Sequence, residues 1–467
     1  MVFASLEFLL LFLPLFLGGY TLVPAQYRNI TLLVFSWAFY AWWSVHFLVL
    51  FIAITLWTWL IAIFVEKASI QKVKKWLLVG LIITNAGILF WFKYINILVG
   101  TLSQLLGWRG ALSIDWEPVV LPIGLSFIIL QAISYVVEVY KKEVPAQRSF
   151  WDFATYLAMF TQLVAGPIIR YDWIEKELRS RVYDWDNFIV GARRFMIGLS
   201  MKVIIADSFS PIVDTTFGLS NPSFGDAWIG SFAYTFQLFF DFAGYSAMAI
   251  GLGRMLGFYF PENFNHPYLA TGIQDFWRRW HISLSTWIRD YLYIPLGGNR
   301  LGTARTYFNL LITMAIAGMW HGGDSWNFLL WGLAHGAALS FSRWWRSANM
   351  PALPMMLSRF LLLLFVVLAW VVFRATDFDA ALAMYSGLLG LNGWHISHTL
   401  SLVLRPSDTL VFVLAVLATT SPLWLNSKFF SLRVVSRLLL FWPGVGFFIS
   451  LVLLSSRDVV PFLYFQF

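Results

Sequence analysis

The sequence predicts an all-α, polytopic membrane protein, and three observations predict it. Of its 467 residues, 59% are apolar and only 12% are charged, with a mean hydropathy of +0.72. A soluble domain has roughly half apolar and about a quarter charged residues, so a core could not hide this excess. The charges are also unevenly placed: residues 29–65, 153–169, 306–323, 325–342, 409–427 and 438–456 contain no Asp, Glu, Lys or Arg. Finally, these stretches are apolar throughout, whereas the strands of a membrane barrel alternate apolar and polar positions over about ten residues. A helix crosses a bilayer with about 20 mostly apolar residues, and the chain supplies that length repeatedly.

Phe3–Val23 carries a single charge, Glu7, with no basic leader or small-residue cleavage site, and reads as a retained first span. The uncharged run from Asn29 up to Glu66 is too long for one span and predicts two segments that turn near Trp42–His46. Further segments are expected at 76–98, 118–139, 153–170, 187–205, 227–255, 306–322, 325–345, 356–373, 409–427 and 438–456. Together they make on the order of 11–13 membrane segments, some of them tilted or re-entrant. No long polar domain, low-complexity linker or repeat interrupts them, so one integral domain covers 1–467.

The net charge of +8 and pI near 9.5 would suggest nucleic acid in a soluble protein. Here the bases sit in short loops between apolar runs, which is the positive-inside pattern and excludes that partner. Lys67, Lys72, Lys74 and Lys75, then Lys141, Lys142 and Arg148, then Arg278, Arg279, Arg289, Arg300 and Arg305 are expected on the cytoplasmic side. Asp207, Asp214 and Asp226, in a stretch without a base, are expected outside. The 25 Trp and 18 Tyr supply interfacial belts and packing against membrane lipids. The absence of cysteine excludes disulfides, cysteine zinc sites, iron–sulfur clusters and a covalent cysteine intermediate. No metal site is expected: among seven histidines no two have the spacing and carboxylate company of a zinc motif, and His395 and His398 fall in a polar loop.

Three polar constellations interrupt the apolar background. In Phe276–Pro295, residues Trp277, His281, Leu284, Ile288 and Tyr291 recur at three- and four-residue intervals, and Arg279, Ser283, Thr286 and Asp290 share another face. The pattern predicts one amphipathic helix that ends at Pro295 and the Gly297-Gly298 turn. Such a helix lies at a membrane surface, or walls a cytoplasmic cavity in which its arginines, Arg278 and Arg279 among them, meet an anionic cofactor through guanidinium forks that suit phosphates. In Ala317–Gly323, His321 ends an uncharged helix that begins near Thr306, about 22 Å along its axis and past the middle of a core roughly 30 Å thick. An ionisable side chain at that depth is costly and marks a functional site; the alternative is a packed histidine bonded to a neighbouring helix. His335, in Trp331–Gly336, reads as structural. Asp241 lies among aromatics in Phe239–Ser246 and must find a donor, either by orienting a histidine or by pairing with an arginine of the 278–289 helix.

These residues also carry a resemblance. Leu121–Phe127, Ala165-Gly166-Pro167, Asp241–Ser246, Glu262-Asn263-Phe264-Asn265, the 276–300 motif, Met319-Trp320-His321-Gly322 and the ending Pro461–Phe467 run in order from about residue 120, with a motif core at about 120–345. In this the sequence resembles the membrane-bound O-acyltransferase family, and within it the branch that O-acetylates alginate. The run Ile128–Gln131 departs from that branch's more aromatic and acidic stretch, which leaves the polymer open.

The resemblance implies a bundle of about eleven transmembrane helices plus re-entrant segments around a central tunnel. It implies that His321 is the catalytic histidine and that His281 belongs to the family's second polar motif, with Trp277, Arg278, Arg279, Asn299, Trp320 and Asp241 along the tunnel. It further implies acetyl-CoA as a donor substrate entering from the cytoplasm, with no permanently bound cofactor. The setting would be a bacterial inner membrane, and the partners a periplasmic acetyl-transferring protein and a polysaccharide synthase and export complex. Alginate and bacterial cellulose are the acceptor polymers to consider first. Neutral imidazole suits the base that such a transfer needs near neutral pH. Tyr464 is either an acyl relay or partner-docking residue, or an aromatic interface anchor. A transporter of acetyl groups would predict paired half-molecules, which the sequence lacks; a non-catalytic scaffold would predict that His321 is dispensable.

Overall fold

The computed structural model describes residues 1–106, 116–163, 166–425, 433–457 and 460–463, and every regular element among them is helical. In chain order the helices are α1 (Leu13–Leu22), α2 (Arg28–Ala41), α3 (Val45–Lys67), α4 (Gln71–Leu105), α5 (Leu125–Lys141), α6 (Phe150–Ala158), α7 (Phe160–Leu163), α8 (Tyr171–Arg179), α9 (Trp185–Ser200), α10 (Asp207–Phe217) and α11 (Phe224–Met255). They continue with α12 (Ile273–Arg279), α13 (Ile282–Ile288), α14 (Thr303–His321), α15 (Asn327–Ser347), α16 (Met355–Arg374), α17 (Phe378–Leu388), α18 (His398–Val403), α19 (Pro406–Thr419), α20 (Ser421–Trp424) and α21 (Arg433–Ser456). Among the described residues α3, α4 and α16 are long and apolar enough to cross a membrane.

The expected turn inside residues 29–65 falls between α2 and α3, where the Ser44 hydroxyl caps α3 by accepting the Phe47 N–H at 3.4 Å. Two other expectations are corrected. The segment placed at 118–139 becomes helical only at Leu125, because Pro118 and Pro122 withhold backbone donors and Gly124 turns the chain at φ 76°. The segment placed at 153–170 is not one span. It breaks at Met159, and the pieces α6 and α7 are nine and four residues long. The break is satisfied from outside the segment as well as within it: Ser36 Oγ accepts the Phe160 N–H at 3.0 Å, and Gln162 Nε2 donates to the Tyr156 carbonyl at 2.6 Å.

The chain divides into two compact units. The first comprises 1–195 and 249–261. Its core is a cluster of rings: Phe16 and Phe160 lie 4.9 Å apart edge to face, Phe12 and Phe160 5.3 Å, and Phe3 and Phe8 4.9 Å. Glu66, at the end of α3, accepts the Ala146 N–H at 3.0 Å and pairs with Arg148, tying that end to the loop after α5.

The second unit comprises 196–248 and 262–467. Its core centres on Phe240, Trp280, Trp331, Trp370 and Phe373, with Trp331 stacked on Trp370 at 5.7 Å. Here α14 and α15 form a tight antiparallel pair. A Cβ at Gly318 would sit 2.1 Å from the Phe328 carbonyl, and one at Gly332 would sit 2.2 Å from that of Met314. Only glycine permits this approach, and it brings α15 against the helix that carries His321.

Candidate active site

His321 is the last residue of α14 and is buried, and Gly322 follows in extended conformation. Leu310, Thr313, Met314, Ala317 and His321 recur at helical spacing and form the face of α14 that lines a cavity of about 140 Å³. Trp277, Leu284, Ser285, Ile288, Arg289 and Tyr293 line it from the 273–293 segment, and Leu339 from α15. The His321 ring is boxed by Trp320 at 5.0 Å, Trp331 at 5.3 Å and Phe373 at 5.4 Å. The His281 ring lies 6.4 Å away, so two imidazoles separated by forty positions in sequence come together.

His281 gets there by a route the periodicity does not predict. The expected single helix over 276–295 is corrected to two helices, α12 and α13, broken at Trp280-His281, followed by a wide turn at Arg289–Tyr293. His281 is left-handed at φ 44° and wholly buried. The Glu262–Asn265 block braces the break. Asn263 accepts the Ile282 N–H on its carbonyl at 2.9 Å, and its side-chain oxygen accepts from the Ser283 N–H at 3.2 Å and hydroxyl at 2.9 Å. Asn265 donates its N–H to the Arg279 carbonyl at 2.9 Å. Phe242 packs edge-on against His281 at 4.6 Å and Trp320 lies 6.2 Å from it. In the same loop, burial and the neighbouring Arg279 hold the His266 imidazole below its usual range.

The other candidates are placed as follows. Trp277 lines the cavity and packs on His335 at 5.2 Å; His335 is fully buried among rings. Arg279 pairs with Asp275 at 2.9 Å, while Arg278 and Asn299 are exposed; none of these three lines the cavity. His395 and His398 are exposed. Tyr464 lies outside the described residues, as does Ala165.

Among the described residues Asp241 pairs with neither histidine nor arginine. Its partner is Lys202 at 2.8 Å; Lys202 also binds Asp207 at 2.5 Å, and Asp241 accepts the Leu463 N–H at 2.9 Å. All three charged side chains are buried. Sequence reasoning missed Lys202 because a lone lysine in an apolar run reads as part of a span. It also missed Asn309, which is buried and donates to the carbonyls of Leu296 and Gly298, fastening the turn ahead of α14. An asparagine in an uncharged helix is the signal that would have found it.

Residues 136–384, which include both histidines and the helices around them, match the family model of the membrane-bound O-acyltransferases. The chain belongs to this family. It is 46% identical over 399 residues to a probable alginate O-acetylase of Azotobacter vinelandii, covering 85% of this chain and 80% of the relative. It is 42% identical to a probable alginate O-acetylase of Pseudomonas putida over the full length of both. A peptidoglycan O-acetyltransferase of Helicobacter pylori is 35% identical, over 85% of this chain and 81% of its own. This membrane-bound O-acyltransferase therefore places an imidazole pair beside a small cavity within the segment that defines its family.

Proposed function

We propose that this O-acyltransferase transfers acetyl groups from acetyl-CoA, entering on the cytoplasmic side of a bacterial inner membrane, toward the O-acetylation of an exported polysaccharide, with His321 as general base. The observation that carries the reading is the position of His321, at the cavity end of α14 with the His281 ring 6.4 Å away. Pockets for drug-sized ligands run from about 300 Å³ upward, so a cavity of about 140 Å³ suits a small acyl group better than a fatty chain. Alginate is the polymer favoured by the relatives at 42% and 46% identity, and bacterial cellulose is the other acceptor to test.

In the proposed reaction an imidazole nitrogen of His321 takes the proton of the acceptor hydroxyl as its oxygen attacks the thioester carbonyl. The tetrahedral intermediate needs a hydrogen-bond donor for its oxyanion; the Trp320 indole and the amides of Gly322-Gly323 are the candidates. Collapse reforms the carbonyl, breaks the carbon–sulfur bond and returns the proton from His321 to the departing thiolate. The chain has no cysteine, so no thioester forms on it. Transfer is direct or passes through an oxygen nucleophile such as Tyr464. The acceptor side implies a periplasmic acetyl-transferring protein and a synthase and export complex, around a bundle of about eleven spans.

The test is ester-linked acetate on the exported polymer in cells carrying wild type, His321→Ala or His281→Ala at matched membrane levels. The reading expects acetate to vanish in His321→Ala with polymer output intact. Undiminished acetate there would remove His321 from the chemistry.

A further inference from the structure

Arg28 and Arg181, both in the first unit, form a cationic pair that the acyl transfer does not use. Their guanidinium carbons lie 5.6 and 5.7 Å from the centre of one ring, that of Tyr20. Each also covers a second ring: Arg28 that of Tyr183 at 4.8 Å, Arg181 that of Phe258 at 4.6 Å. Arg181 is fixed in place. Its Nε donates to the Tyr20 hydroxyl at 2.8 Å, and its Nη1 to Asn29 Oδ1 at 2.6 Å and to the Glu177 carbonyl at 3.2 Å. Tyr20 is held in turn, donating to the Leu256 carbonyl at 3.1 Å.

The pair is under-neutralised. Among the described residues neither arginine forms an ion pair; Asp152 connects only through Asn29, whose Nδ2 donates to it at 2.7 Å. Arg28 Nε and Arg181 Nη2 are buried and have no hydrogen-bond partner among the described residues. A desolvated donor of a charged group without an acceptor is unfavourable, so two such donors around one ring favour an added acceptor. Planar guanidinium forks match phosphate oxygens.

The surroundings select the source of that phosphate. Leu22, Tyr27, Val182 and Trp185, flanking the pair in sequence, are 86%, 54%, 68% and 77% exposed. Exposed apolar and aromatic side chains beside arginines are the composition of a membrane–water interface. Asn29, next to Arg28, donates its Nδ2 to the Leu178 carbonyl at 2.9 Å and so ties the start of α2 to the end of α8 beside the pair. We infer that Arg28 and Arg181, set around the Tyr20 ring, bind the phosphate of an anionic phospholipid headgroup.

The test uses the full chain purified in neutral detergent, with native mass spectrometry counting bound phosphatidylglycerol or phosphatidylcholine, with and without inorganic phosphate. A basic residue near an anionic surface contributes about 1 kcal/mol, which is about fivefold in affinity. Wild type is expected to retain phosphatidylglycerol over phosphatidylcholine. Arg28→Gln should lose about fivefold of that preference, and the Arg28→Gln/Arg181→Gln double variant should lose it altogether. Arg148→Gln, whose arginine already pairs with Glu66, should keep it. Arg28→Gln decides the matter even if loss of Arg181 disturbs the fold, because the Arg28 guanidinium meets the fold through ring faces. Equal retention of the two lipids, or an unchanged preference in Arg28→Gln, overturns the inference. So does displacement of the lipid by inorganic phosphate, which would assign the pair to a soluble phosphate compound.

Discussion

A histidine at φ 44° needs a reason, because the left-handed region costs a residue with a Cβ about 1–2 kcal/mol. At His281 the return is position: the left-handed turn ends α12, starts α13 and carries the imidazole to the His321 ring. This predicts an inverted order of variants. His281→Gly should unfold at higher temperature than His281→Ala, by a difference equivalent to about 1 kcal/mol, since both lose the ring and only Gly relieves the backbone; thermal unfolding in detergent reads it. Lys202 makes a second prediction. Lys202→Met leaves the carboxylates of Asp207 and Asp241 buried without their lysine, and should cost about 3–5 kcal/mol. Asp241→Asn, which keeps the Lys202–Asp207 pair, should cost less in the same assay. His321 was legible in the sequence as a candidate because an ionisable side chain deep in an uncharged helix is costly, and the structure places it on the cavity. The break at His281 was not: no proline or glycine marks residues 280–282, and the spacing of Trp277, His281, Leu284 and Ile288 is that of an unbroken helix. What bends it is Asn263, eighteen positions upstream, through bonds that periodicity does not register.

Helices existed where uncharged runs announced them, and they stopped where side chains from other helices intervened. Ser36 of α2 accepting the Phe160 N–H is the physical reason that a run long enough to span is two short pieces instead. The α14–α15 pair is the opposite case, in which sequence and packing agree. Gly332→Val should push α15 off α14, because its branches would enter the space of the Met314 carbonyl. The expected result is loss of about 1–3 kcal/mol or more of stability together with acyl transfer, read as protein level and melting temperature. The N-terminal end of α11 holds another dependence. Asp226 Oδ1 accepts from the Ser397 N–H and hydroxyl at 2.9 and 3.0 Å, and Oδ2 from those of Ser223 at 3.1 and 2.9 Å. Burial alone would raise this carboxyl; the four bonds outweigh it and hold the pKa below its ordinary value. A depressed carboxyl stabilises the fold above its unfolded pKa, and that contribution is lost as the pH falls through the folded value. Asp226→Asn should therefore cost about 1–3 kcal/mol near pH 7, and the gap from wild type should close below about pH 4 in thermal melts.

At the scale of the whole chain, composition points to the class and the family match gives the type of reaction. An excess of apolar residues with few charges specifies helices in a membrane, and the family match specifies an O-acyltransferase. Neither specifies the acceptor polymer: the polar side chains lining the cavity are Ser285, Arg289, Tyr293, Thr313 and His321, and the rest of the lining is apolar. The lack of cysteine makes the protein a natural background for introduced thiols, so probes can be attached without first removing native ones. The claim on which the rest depends is that His321 moves the proton in acyl transfer. The most direct measurement is release of free thiol from labelled acetyl-CoA by the full chain in proteoliposomes, with a hydroxyl acceptor present, comparing wild type and His321→Ala at equal protein. Removal of a general base predicts a fall of about 10²–10⁴-fold in the acceptor-dependent rate, with acetyl-CoA binding preserved. An unchanged rate in His321→Ala would contradict the account.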